Sequence, residues 1–158
     1  MFGKHMLKEL KTTLIIAELS ANHNSDFQKA KELTEQACLA GADVIKIQTY
    51  TPDTMTLNSS KQDFQVKVNE AWKGRTLYQL YEIAQTPWDW YVDLEKIAKS
   101  YNKIFIGTPY DESAVDFLEK KKCPFYKIAS FETTDIKLLK KIAQTKKPVV
   151  ISRGMTSF

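Results

Sequence analysis

A parallel α/β barrel of the TIM (β/α)8 type, present as about five of its βα units, is the fold this sequence predicts, and three observations predict it. Short apolar runs alternate with helical patterns and no hairpin signal intervenes, which makes parallel βαβ units joined by right-handed crossovers. Each run is followed at once by a polar cluster, so successive strands deliver reactive groups to one rim, as a barrel does at the carboxyl ends of its strands. The last three of these ends are evenly spaced, Thr108 to Ser130 and Ser130 to Ser152 each lying 22 positions apart. The five clusters are Glu18-Leu19-Ser20-Ala21-Asn22-His23-Asn24, Lys46-Ile47-Gln48-Thr49, Gly107-Thr108-Pro109-Tyr110-Asp111, Lys127-Ile128-Ala129-Ser130-Phe131-Glu132 and Ser152-Arg153-Gly154-Met155. A doubly wound open sheet is the structural rival. It ordinarily carries a glycine-rich phosphate loop after its first strand, and no GxGxxG or GxxxxGK occurs here.

The elements follow in order. Thr13-Leu14-Ile15-Ile16-Ala17 suits a strand buried on both faces. From Asp26, residues Phe27, Ala30, Leu33, Thr34, Ala37 and Cys38 recur at helical intervals, and the helix should stop near Gly41. Asp43-Val44-Ile45-Lys46-Ile47-Gln48 is the second strand. The stretch 51–85 far exceeds the roughly 2–6 residues of an ordinary βα connection, so it is an insertion after strand two, overhanging the rim and holding a helix over 76–84. Thr86-Pro87-Trp88-Asp89 predicts a helix start with Thr86 as N-cap, running to Ser100. Strand three is Ile104-Phe105-Ile106-Gly107 and a helix over 113–121 turns Ala114, Phe117 and Leu118 inward. Strand four is Phe125-Tyr126-Lys127-Ile128-Ala129, a helix covers 134–145, and strand five is Pro148-Val149-Val150-Ile151-Ser152. Residues 1–12 form an N-terminal extension and 13–158 the barrel part.

With 158 residues, 43% hydrophobic and 27% charged, the chain suits one unit with a real core rather than a disordered tail. No apolar run approaches the roughly 18 residues that span a bilayer, and residues 1–13 lack the apolar core of a signal peptide, so no membrane partner and a cytoplasmic location are expected. The net charge of +4 comes largely from Lys120-Lys121-Lys122, Lys140-Lys141 and Lys146-Lys147, at helix ends and loops, diluted by 19 acidic residues. Nucleic acid is therefore not the expected partner, whereas a small anionic substrate is compatible. Cys38 and Cys123 have no CxxC or histidine neighbour and read as reduced packing residues.

At Ile16-Ala17-Glu18-Leu19-Ser20-Ala21-Asn22-His23-Asn24, Lys46-Ile47-Gln48-Thr49-Tyr50-Thr51-Pro52-Asp53-Thr54, Trp72-Lys73-Gly74-Arg75-Thr76-Leu77-Tyr78, Thr86-Pro87-Trp88 and Tyr126-Lys127-Ile128-Ala129-Ser130-Phe131-Glu132, the chain resembles the sialic acid synthase family. The Leu19-Ser20-Ala21 variant and the segment from Trp72 to Tyr78 place the resemblance nearest the pseudaminic branch, with the N-acetylneuraminic and legionaminic branches as alternatives. The resemblance implies condensation of phosphoenolpyruvate with an open-chain acetamido sugar, here 2,4-diacetamido-2,4,6-trideoxy-altrose, with release of phosphate by C–O cleavage. It further implies a divalent metal, manganese or magnesium, and a homodimer for the full-length family.

By the family pattern Lys127, Thr108, Ser130 and Ser152 would hold the phosphate, one point charge among hydroxyl donors. Lys46 and Gln48 would take the pyruvyl carboxylate. Glu132 would handle the water or proton and Glu18 would contact the sugar. Asn22 and His23 would bind sugar hydroxyls, with Tyr110 and Asp111 as weaker candidates. Each has a plainer competitor. Glu18 and Glu132 suit helix N-termini, and Thr108, Ser130 and Ser152 suit caps or turns. Lys46 and Lys127 are flanked by apolar residues, where an ammonium without an anion is costly, and this favours the functional reading. Trp88, Trp90, Tyr78 and Tyr81 read as packing beneath the insertion rather than platforms for sugar.

Two positions depart from the family pattern: Arg153 where a small hydroxyl residue is expected, and Ser25 where glycine is usual after Asn24. The family's metal-binding histidines lie beyond strand five, and the two histidines here are His5 and His23, so no metal ligand is expected within the chain. The remaining barrel strands and a C-terminal antifreeze-like domain are expected to be absent. The chain is therefore expected to be an inactive N-terminal part of a synthase, or a non-catalytic remnant keeping the phosphoenolpyruvate subsite. A lysine Schiff-base aldolase built on Lys127 is the enzymatic rival.

Overall fold

The structure is a computed structural model that describes residues 13–67, 72–154 and 156. The expected extension 1–12, with His5, lies outside the described residues, as does Met155 of the fifth cluster. Strand then helix repeats as the sequence predicts: β1 (Ile16–Glu18), α1 (Phe27–Leu39), β2 (Val44–Thr49), α2 (Pro52–Met55), α3 (Leu77–Ala84), α4 (Tyr91–Ser100), β3 (Ile104–Pro109), α5 (Glu112–Lys120), β4 (Tyr126–Ile128), α6 (Ile136–Gln144) and β5 (Val149–Ile151). Asp26 caps α1 by accepting from the Lys29 amide at 3.0 Å, and Gly41 beyond its end takes the left-handed φ of 95° that glycine tolerates best. The insertion holds α2, a 3-10 turn at Gln62–Phe64, an antiparallel bridge between Gln65 and Thr76, and α3, which opens in a capping box of Thr76 and Gln79.

All strand pairs are parallel, but the strands do not share one ladder. β1, β2 and β3 form one sheet and β4 with β5 a second. The single five-stranded arc expected from the sequence is thus divided between β3 and β4, which lie side by side without a ladder among the described residues. Every helix but the short α2 and the inserted α3 packs outside these strands: α1 lies against α4, α5 against α6, and both α4 and α5 against β3. Between strands and helices lies the core, with Val44, Ile45, Leu94, Ala98, Ile106, Leu118 and Leu138 fully buried. At about 1.5–3 kcal/mol for each large aliphatic side chain, this layer dominates the stability of the unit. Cys38 and Cys123 are buried in it as free thiols, in keeping with packing roles.

One expected cap is corrected. Thr86 does not cap a helix: a 3-10 turn at Trp88–Trp90 precedes α4, and Pro87 at its N-cap position makes no side-chain capping bond. Thr86 is instead 2% exposed, its hydroxyl facing the ring of His23. No helix among the described residues is long and apolar enough to cross a membrane.

Candidate active site at the strand ends

Side chains alternate across a strand, so the ladder register decides which candidates share a face. Glu18 pairs with Lys46 and Lys46 with Ile106, while Gln48 pairs with Thr108; in the second sheet Lys127 pairs with Val150. Glu18, Lys46, Gln48 and Thr108 therefore project from one face of the first sheet. Lys127 donates to the Ser152 hydroxyl at 2.5 Å and to the Ile128 carbonyl at 2.6 Å, joining the carboxyl ends of β4 and β5.

Electrostatics link the two sheets. The side chain of Lys46 is 13% exposed and ion-paired with Glu18. Burial, and after it the field of Lys127, pull the Lys46 ammonium down to about 8 from an ordinary 10.5. Burial likewise lowers Lys127, against the opposing pull of Glu132. The two ammonium groups thus act on each other, with Glu18 paired to Lys46 and Glu132 acting on Lys127.

Glu132 lies in the 3-10 turn Phe131–Thr134 that follows β4. Burial pushes its carboxyl above the ordinary carboxylate value, and its Oε2 is buried without a hydrogen-bond partner. The Thr108 hydroxyl is 1% exposed and has no partner either. Buried polar atoms left unpaired cost about 1–3 kcal/mol each, so two of them at the ends of strands in the two sheets that carry the lysines mark a place shaped for a polar ligand. Ser130 stands at the N-cap position of that turn but makes no capping bond, which leaves its hydroxyl available. A Cβ added to Gly154 would lie 2.7 Å from Ser130 Oγ, so the fifth cluster's backbone sits directly against the fourth.

Gln48 is oriented from both sides: its Nε2 donates to the Tyr110 hydroxyl at 2.7 Å and its Oε1 accepts from Ser20 Oγ at 3.3 Å. One amide hydrogen remains for a ligand. Tyr110 belongs to an aromatic row that sequence reasoning missed. Tyr50, 2% exposed, meets Tyr110 edge-on at 5.4 Å and Tyr81 of α3 at 5.7 Å between ring centroids. Burial, and after it Glu132, raise both outer tyrosines, against the Gln48 hydrogen bond at Tyr110. The available signal was parity: Tyr50 follows Lys46 and Gln48 at steps of two, and so continues their face past the strand. Trp88 and Trp90 pack as expected, Trp88 donating to the Tyr50 carbonyl and stacking near Phe117, Trp90 between Phe27 and His23.

Two candidates are engaged by the protein itself. His23 is 2% exposed, its Nδ1 accepting from the Ser25 amide and its Nε2 facing Thr86 Oγ1 at 3.2 Å. An accepting Nδ1 leaves the proton on Nε2, which donates to Thr86, so both ring nitrogens are engaged within the protein and the ring ties down the first loop. Asp111 accepts from the Ser113 and Ala114 amides and caps α5, so its carboxylate serves that helix. Asn22 stays on the rim, exposed, donating to the Leu19 carbonyl. The Ser25 departure gains a physical meaning: its φ is 59°, and a glycine there would relieve a left-handed backbone.

Replacing His23 with phenylalanine is expected to lower stability by about 1–3 kcal/mol, since Thr86 Oγ1 and the Ser25 amide lose their partner in the interior. Burial, then Lys29, hold the His23 imidazole below its ordinary 6.5, so the stability it contributes is present above that pH and is lost on acidification. Thermal melts of both proteins at pH 8 and pH 5 check this: the two melting temperatures should converge at the lower pH.

Among the described residues no three histidine, cysteine, aspartate or glutamate side chains cluster to hold an ion.

The chain is 43% identical over 143 residues to the pseudaminic acid synthase of Helicobacter pylori and 44% identical over 147 residues to that of Campylobacter jejuni. These alignments take in 90% and 93% of the chain but 42% and 43% of the relatives, so the chain spans about two fifths of their length. Its fold matches the crystal structure of an N-acetylneuraminic acid synthetase from Leptospira borgpetersenii in complex with citrate, at a TM-score of 0.76 and 26% identity, over 91% of this chain and 45% of that one. A profile of the NeuB family matches residues 33–158, and the chain belongs to that family.

Proposed function

We propose that this chain forms the phosphoenolpyruvate half of a nonulosonic acid synthase of the pseudaminic type, on the rim of its parallel strands. The observation that carries the reading is the convergence of Lys46 and Lys127 on one side of the strand ends, beside the unpartnered Thr108 hydroxyl and Glu132 carboxylate oxygen. Phosphoenolpyruvate brings a phosphate and a carboxylate, one anion for each of the two lysines. Lys127, with Ser130, Ser152 and Thr108, holds the phosphate; Lys46 and Gln48 hold the carboxylate. Glu132, with its raised carboxyl, is suited to exchange a proton with the water that adds as the C–O bond breaks. Glu18 and Asn22 face the acetamido sugar, for which 2,4-diacetamido-2,4,6-trideoxy-altrose is the proposed structure on the likeness to the pseudaminic relatives. His23 and Asp111 hold the loops that carry these groups. No three histidine, cysteine, aspartate or glutamate ligands cluster among the described residues, so no step is assigned to a divalent cation.

Titration calorimetry with phosphoenolpyruvate in metal-free buffer tests the reading. Binding is expected near neutral pH and should weaken as pH rises through about 8, where free Lys46 loses its proton. Adding the sugar and manganese should release no phosphate at the rate of a full-length synthase. Failure to bind at any pH would reject the subsite.

A further inference from the structure

We infer that the face opposite the strand-end cluster carries a second anion site, suited to a nucleoside polyphosphate. A half-open cavity of about 810 Å³ lies at the amino ends of β3, β4 and β5, where α4, α5 and α6 turn back into the strands. Its size falls within the roughly 300–1,000 Å³ of small-molecule pockets and favours a compact ligand over an extended polymer.

Six lysines line it: Lys99, Lys103, Lys121, Lys122, Lys146 and Lys147. Against them stand Glu95 and Glu119, so the cavity carries four net positive charges, as many as the whole chain. Glu95 pairs with Lys99, and Glu119 binds Lys147 and the Tyr126 hydroxyl. Lys121 lies over the ring of Phe117. Lys103, Lys122 and Lys146 have no anionic partner among the described residues.

Cations at a helix carboxyl end usually serve its free carbonyls. Here backbone amides already take those carbonyls: Asn102 and Lys103 bond back to Lys99 and Ala98, Lys122 and Cys123 to Glu119 and Leu118, and Lys146 to Ala143. The ammonium groups of Lys103, Lys122 and Lys146 are thus left for something else. Asn102, Lys122 and Lys146 occupy equivalent places in the three turns and all adopt left-handed backbone, with φ of 57°, 58° and 57°. Glycine fits such a turn with less strain, yet lysine stands at two of the three. The apolar part of the wall, Ile104, Pro124 and Pro148 over the buried Phe105, offers a surface to a planar base beside the charges.

The test is calorimetric titration of the chain with ATP in EDTA, with saturating phosphoenolpyruvate present to occupy the strand-end cluster. ATP should bind, and Lys122→Asn with Lys146→Asn should weaken it about tenfold or more, whereas Lys61→Gln with Lys137→Gln should leave it unchanged. Asparagine accepts left-handed backbone, so the double variant should keep its melting temperature. Inorganic triphosphate should bind more weakly than ATP. Absence of ATP binding, equal loss in both double variants, displacement by phosphoenolpyruvate, or equal affinity for triphosphate would each overturn the assignment.

Discussion

Replacing Lys127 with methionine is expected to weaken phosphoenolpyruvate binding by about 10- to 100-fold, the loss of one charge-assisted contact of about 1.5–3 kcal/mol. Lys127 is fixed where that contact needs it: its two bonds, to Ser152 Oγ and the Ile128 carbonyl, hold the ammonium at the junction of β4 and β5. Methionine keeps the length and the apolar stem but removes the charge. A second readout separates this role from a structural one. The field of Lys127 helps to depress Lys46, so its removal should raise Lys46 from about 8 and shift the alkaline loss of affinity to higher pH. Lys127→Arg should leave that pH dependence near its original position. An unchanged affinity in the methionine variant would take Lys127 off the phosphate.

Much of this site was legible because parallel strands with period-two alternation need little tertiary information. The spacing of Glu18, Lys46, Gln48, Thr108 and Lys127 relative to the apolar runs was enough to predict a shared rim, and the ladder register places the first four on one face. The strand boundaries moved by at most three residues, as strand ends do. What was not legible depended on partners distant in sequence. His23 reads as a polar loop residue, and only its contact with Thr86, 63 positions away, together with Trp90, makes it an interior one. The same contact explains why the Thr86-Pro87 cap signal misled: a threonine before a proline fits an N-cap, but its hydroxyl was already engaged by the imidazole. The gap between β3 and β4 left no mark either, because residues of an unladdered strand carry the same apolar pattern as those of a laddered one. The tyrosine row escaped notice because its three members come from β2's end, the insertion and β3's end.

Replacing Gly107 with alanine is expected to cost about 1–3 kcal/mol or more, the range for overpacking a close-packed interior. For a chain of this size that corresponds to a fall in Tm of roughly 2–4 °C per kcal/mol. The added Cβ would lie 2.3 Å from Thr49 Oγ1 and 2.7 Å from Leu118 Cδ2. Neither neighbour yields easily. Thr49 is 1% exposed on the adjacent strand with a β-branched side chain that has few rotamers to retreat into, and Leu118 is fully buried in α5. Relief must come from separating β2 from β3 or α5 from the sheet, and either movement displaces Thr108 from its place beside Gln48. Stability and phosphoenolpyruvate affinity should therefore fall together. Removing the threonine hydroxyl provides the check: Thr49→Ala alone should be mild, because that hydroxyl has no hydrogen-bond partner to lose. Combined with Gly107→Ala it should recover part of the lost stability, a non-additive coupling of about 1 kcal/mol in a double-mutant cycle. Strict additivity in thermal melts would show that the contact between Gly107 and Thr49 does not set the spacing of the two strands, and the site's geometry would then need another cause.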